Sequence, residues 1–138
     1  MLNRRHVLFA AGAALALPRL ALASGRPMYQ PGNAEAAMDA GKVVFLDFWA
    51  SWCSTCASQE RVIDLLRAEN PAYDEAMSFF TVDWDAYGTG KLSRSLNIPR
   101  RSTLVVLKGN TELGRIVAGT RKAEIQALMD LGVEAARA

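Results

Sequence analysis

Cys53 and Cys56 are the only two cysteines of the chain, and they stand three residues apart. That spacing suits a dithiol that closes into a small ring and opens again. Exchange of disulfides begins when a thiolate, not a thiol, attacks a disulfide sulfur. A free cysteine titrates near about 8.5, so without help it is mostly protonated at neutral pH. A cysteine in the first turn of a helix has help, because unpaired N–H groups and the positive end of the helix dipole face its sulfur. Cys53 is read in that position, and Cys56 one turn further in and more buried. The cycle that follows has Cys53 attack a partner disulfide, a mixed disulfide form, and Cys56 resolve it. A purely structural disulfide across so short a loop would stabilise little. Half of a zinc site would need two more ligands, and downstream of residue 23 the chain has no other Cys and no His.

Asp47 is the second residue with chemical promise. Lys42 to Ala50 reads as a buried strand, with Val43, Phe45, Asp47 and Trp49 on one face and Val44, Leu46, Phe48 and Ala50 on the other. Both faces are apolar. A carboxylate there is expected to be buried, its pKa raised by desolvation. The plainer reading is an aspartate at a strand end bonded to a neighbouring loop. Trp49 is expected in the core, and Trp52 at the surface before Cys53.

The elements that must hold these residues can be read along the chain. Ser24 to Gly32, with Pro27 and Pro31, reads as a flexible leader, and Asn33 to Ala40 as a short helix ending at Gly41. Cys53 to Ala68 is an amphipathic helix with Val62, Ile63, Leu65 and Leu66 on one side. Met77 to Trp84 is a strand, Asp85 to Gly90 a loop, and Lys91 to Leu96 a helical stretch. Ser102–Leu107 and Leu113–Ala118 are strands joined by a Gly-Asn hairpin turn. Thr120 then caps a last helix carrying Ile125, Leu128, Met129 and Val133. Parallel strands joined by crossover helices and followed by a hairpin give an α/β sandwich with the sheet in the middle. Sites in such sheets gather where a strand ends and a helix begins, which is where the cysteines lie.

The segment Asp47-Phe48-Trp49-Ala50-Ser51-Trp52-Cys53-Ser54-Thr55-Cys56 resembles the active-site stretch of the thioredoxin superfamily. The resemblance extends to Thr103-Leu104-Val105-Val106-Leu107-Lys108-Gly109 and to Gly119, and so covers residues 33–138 as one thioredoxin-like domain. It implies a three-layer α/β/α sandwich with a central mixed sheet and a protein-disulfide oxidoreductase without cofactor. It further implies Asp47 as the buried acid that exchanges a proton with Cys56, and Trp52, Arg101, Ser102 and Thr103 as substrate-binding residues. One position departs from the pattern. The family carries a cis-proline before the strand facing the active site, whereas here Ser102 fills that slot and Pro99 lies outside it. A cis bond before a non-proline residue costs about 2.5–4 kcal/mol, so the Arg101–Ser102 bond is expected to be trans. Arg101 is then either close enough to Cys53 to favour its thiolate or a solvated charge.

Residues 1–23 read as an export signal. Arg4 and Arg5 precede an apolar run from Val7 to Leu17, and small residues flank a cut before Ser24. The run is shorter than the about 20 residues that span a bilayer. Arg4-Arg5-His6-Val7-Leu8 also resembles a twin-arginine signal, and the two export routes stay open. Of the 16 Lys and Arg residues, Arg4, Arg5 and Arg19 leave with the signal, so 13 face 14 acids, a formal net of −1. The basic balance of the whole chain is thus partly an export feature and gives no support for nucleic-acid binding. His6 leaves too, which excludes Ser-His and Cys-His nucleophile systems. The expected setting is the periplasm, with disulfide-containing exported proteins as partners, a membrane-bound thiol electron donor, and no membrane span once the signal is cut. The alternative from another class is a binding module of the same fold, its cysteines holding a metal or cluster shared between two chains.

Overall fold

The computed structural model describes residues 26–138. The expected signal at 1–23 and the first two leader residues lie outside the described residues. Four strands form one mixed sheet in the order β2-β1-β3-β4. Strand β1 (Val43–Trp49) runs parallel to β2 (Ser78–Asp83) and antiparallel to β3 (Thr103–Lys108), which turns at Gly109-Asn110 into β4 (Thr111–Val117). Gly109 takes φ +58°, the left-handed conformation that a tight turn asks of glycine.

Alternation along β1 sends its side chains into two cores. Val44, Leu46 and Phe48 meet Met38 of α1 (Asn33–Asp39), Leu92 of α5 (Lys91–Ser95), Val105 and Leu107. Val43 and Phe45 meet Ile63 and Leu66 of α2 (Ser54–Glu69), Tyr73 of α3 (Ala72–Ala76), and Ile125, Leu128 and Met129 of α6 (Lys122–Arg137). Each fully buried side chain of this size contributes about 1.5–3 kcal/mol of transfer free energy. The result is the expected three-layer sandwich with its sheet in the middle.

Four details differ from the sequence reading. The stripe that α2 buries is Cys56, Gln59, Ile63 and Leu66, while Leu65 faces solvent, because the helix packs along i, i+3, i+7 and i+10. Residues 72–76 form a helix, and Trp84–Tyr87 forms α4 where a loop was expected; pieces of five and four residues are too short to show periodicity. Helix α6 starts at Lys122 with Arg121 at its N-cap, so Thr120 lies one residue before the cap.

The leader expected to be flexible at 24–32 is built into the fold from Arg26 onward. The N–H of Thr81 donates to the Pro27 carbonyl at 2.9 Å, and the N–H of Tyr29 donates to the Thr81 carbonyl at 2.7 Å, so the leader docks on the outer edge of β2. Tyr29 is buried, its ring edge-on to Tyr87 at 5.1 Å and its hydroxyl donating to Glu35 at 2.5 Å. Burial and the Glu35 carboxylate both push its phenol pKa up. Tyr29→Ala is expected to lower stability by about 3 kcal/mol in urea unfolding, as for loss of a buried ring.

Candidate active site

The central strand ends at the cysteines. After Trp49 the chain makes a turn held by the Cys53 N–H donating to the Ala50 carbonyl at 3.2 Å, and α2 then begins. Cys53 is the N-cap of α2, and its own sulfur accepts the N–H of Cys56 at 3.1 Å. The sulfur therefore does what a Ser or Asp oxygen does at other helix starts, satisfying an unpaired N–H at the positive end of the dipole. That contact favours a negative sulfur. The two cysteines are joined as a disulfide, with Cα atoms 5.2 Å apart. Cys56 is 0% exposed and Cys53 5%, so of the two only the outer cysteine reaches solvent.

Antiparallel pairing brings the start of β3 against the end of β1, with Thr103 opposite Phe48. Ser102, the residue just before β3, thus lands on the sulfurs. Its hydroxyl oxygen is 3.1 Å from Cys53 Sγ and 3.1 Å from Cys56 Sγ. No peptide bond among the described residues is cis, and the Arg101–Ser102 bond is trans as expected. Ser102 instead carries φ +62°, a strained value for a residue with a side chain, costing about 1–3 kcal/mol. Three hydrogen bonds to its main chain, two with backbone groups and one with a side chain, hold it there. Its N–H donates to the Phe48 carbonyl at 2.7 Å, and its carbonyl accepts from the Ala118 N–H at 2.8 Å and from Gln59 Nε2 at 2.9 Å.

Asp47 is fully buried on the α2 side of the sheet, as its strand position implied. Its Oδ2 accepts from Arg26 Nη1 at 2.7 Å, while Oδ1 has no hydrogen-bond partner among the described residues. Burial pushes the Asp47 pKa up to about 7, against the pull of Arg26. Burial is the largest influence, and the carboxylates of Glu60 and Asp64, 3.2 Å and 3.8 Å from the same guanidinium, push the same way by repelling the Asp47 charge. A carboxyl that titrates near neutrality suits a group that must take up and return a proton.

The remaining residues are placed less uniformly. Trp52 is exposed, and its indole N–H donates to Asp85 of α4 at 2.9 Å. The Arg101 guanidinium lies over the Trp52 ring, 4.3 Å from its centre, a cation–π contact. Trp49 is half-buried beside the disulfide. Thr103, expected at the substrate surface, is fully buried; its hydroxyl donates to the Arg100 carbonyl at 2.7 Å and so holds the turn. Ser102 is likewise sealed inside, turned to the sulfurs.

Three residues of the site escaped the sequence reading. Arg26 sits in a leader whose composition suggests a loose tail. Gln59 bridges the Ser102 and Gly119 carbonyls at 2.9 Å each. Its signal was present in the chain, since a polar residue on the buried stripe of α2 needs a partner. Asp85 is found only through the tertiary fold.

A family model described as Thioredoxin matches residues 30–131. The chain belongs to the thioredoxin family. A thioredoxin of Echinococcus granulosus is 30% identical over 95 residues, 69% of this chain and 82% of that protein. An H-type thioredoxin of Fagopyrum esculentum is 34% identical over 91 residues, 66% of this chain and 72% of its own. Among solved structures, Trxlp from Edwardsiella tarda superposes with a TM-score of 0.65 at 26% identity, covering 75% of this chain and 98% of that one. Thioredoxin membership together with the Cys53–Cys56 pair makes this protein a disulfide oxidoreductase.

Asp47 also leaves a mark on stability. The unfolded carboxyl loses its proton near 3.8 and the folded one near 7, so the folded state binds more protons in between. The associated stability is fully present below the lower value and declines as pH rises through the upper one. Asp47→Asn should abolish that decline in Tm and leave the variant more stable than the wild type above pH 7, measured by thermal melts across the interval.

Proposed function

We propose that this protein works outside the cytoplasm, in the periplasm, reducing or exchanging disulfides in other exported proteins. The observation that carries the reaction is the asymmetry of the pair: an outer sulfur that caps α2 beside an inner one that is sealed. Cys53 is the nucleophile. As a thiolate it attacks a disulfide of the partner, one partner sulfur leaves and takes a proton, and a mixed disulfide joins the two proteins. Cys56 resolves it. Its proton passes to Asp47, its sulfur attacks Cys53 Sγ, and the second partner sulfur leaves as a thiol. Trp52, with Arg101 stacked on its face, offers the exposed ground beside Cys53 on which a partner chain can lie.

The setting is supported by the signal-like residues 1–23. Among the described residues no helix is long and apolar enough to cross a membrane. A reductant in an oxidising compartment needs a supply of electrons, and a membrane-bound thiol donor fills that role. Fractionation of an expressing bacterium should recover a form processed before Ser24 in the periplasm, and an unprocessed cytoplasmic pool would overturn the location.

Cys53→Ser should abolish reduction of insulin disulfides, whereas Cys56→Ser should retain the first attack and accumulate a mixed disulfide. Asp47→Asn should slow resolution at least tenfold more than first attack in stopped-flow mixing, on the scale of a lost general base. Equal slowing of both steps removes Asp47 from the relay. A reduction potential near about −270 mV fits a reductant, and one near about −120 mV reverses the direction.

A further inference from the structure

Ser102 occupies a place where the family pattern has a proline, and a proline ring brings no hydrogen-bond donor. Here a hydroxyl stands at the same distance, 3.1 Å, from both sulfurs, on a residue that is itself fully buried. Its backbone is held in the left-handed region by bonds to Phe48, Ala118 and Gln59, so the hydroxyl has little freedom to turn elsewhere. A serine hydroxyl has one hydrogen to donate and lone pairs to accept with. Between one thiolate and one thiol it can do both at once.

We propose that Ser102 is a catalytic residue whose single hydroxyl hydrogen serves Cys53 and Cys56 in turn, bonding whichever sulfur carries the negative charge. This deepens the exchange reaction of the cysteine pair and rests on it. In the reduced enzyme the hydroxyl donates to the Cys53 thiolate and accepts from the Cys56 thiol. In the mixed disulfide Cys53 is uncharged, and the hydroxyl turns its hydrogen to Cys56 as that thiol loses its proton to Asp47. The Cys56–Cys53 bond then forms, the bond from Cys53 to the partner breaks, and the partner sulfur departs with the electron pair and takes up a proton. Ser102 gains and loses nothing over the cycle.

A hydrogen bond to a charged sulfur is stronger than one to the uncharged sulfurs of a disulfide. The hydroxyl therefore favours the reduced form, drawing down the Cys53 thiol pKa and making the disulfide a better oxidant than the same site without it. The charged groups on the neighbouring elements are Asp47 on β1 with Arg26 of the leader and Glu60 and Asp64 of α2, and, at the Trp52 side chain, Asp85 of α4 and Arg101 before β3. All are retained when only the hydroxyl is removed.

Two variants separate the hydroxyl from the backbone that carries it. Ser102→Ala deletes the hydroxyl and keeps the left-handed strain, while Ser102→Gly deletes the hydroxyl and relieves the strain. In both, the Cys53 thiol pKa followed by thiolate absorbance should rise by about one pH unit. The equilibrium with glutathione should move about tenfold toward the disulfide, equivalent to a potential about 30 mV lower. The two variants should agree in these values while differing in Tm. Unchanged pKa and equilibrium in Ser102→Ala would overturn the proposal, as would values that track Tm and differ between Ala and Gly. Neither readout needs a protein substrate, so failure here is distinct from loss of insulin reduction, which tests the exchange reaction itself.

Discussion

The sulfur of Cys53 accepts the N–H of Cys56, and most of the site follows from that bond. It fixes where α2 begins, orients the helix dipole toward the reacting atom, and sets the second cysteine one turn inside. Strand β1 must therefore stop at Trp49 and the chain must turn through Ala50 to Trp52 before the helix starts. The antiparallel β3 enters beside that stop, because Phe48 and Thr103 pair, and the residue before β3 reaches the sulfurs. One cap thus aligns a strand end, a helix start and a strand entry at a single point.

The buried acid is governed by a different balance. Asp47 gains an ion pair with Arg26, yet its surroundings exclude water so fully that the proton stays on to near neutrality. Arg26 itself is nearly buried and answers three carboxylates, two of them on the surface of α2. The leader is in this sense part of the site: a segment outside the sheet supplies the counter-charge for a group beneath it.

Much of this was legible in the chain. The apolar alternation of β1, the helical spacing of Ile125, Leu128 and Met129, and the Gly-Asn turn each produced the element they suggested. The burial of Asp47 was legible because a carboxylate in a strand apolar on both faces has nowhere wet to go, while its role came from the resemblance. Ser102 stood out because it breaks the resembled pattern. What stayed hidden needed distance information. Arg26 lies among prolines and glycines, and only the pairing of Pro27 and Tyr29 with Thr81 reveals that this tract is held. For Arg101 the chain offers two surroundings, the sulfur or solvent, and the contact with the Trp52 ring is one that its residue type and position do not announce.

Docking of the leader also decides which rim of the sheet stays open. Thr81 would otherwise present its N–H and carbonyl to any passing extended chain, and both are taken by Pro27 and Tyr29. Pro27 and Pro31 bracket the added stretch, and lacking N–H groups they limit how far it can lengthen as a ladder. On the far rim, β4 carries Arg115 paired with Glu112 at their side chains. Charge on one margin and a short proline-bounded strip on the other are two ways of discouraging self-association through sheet edges.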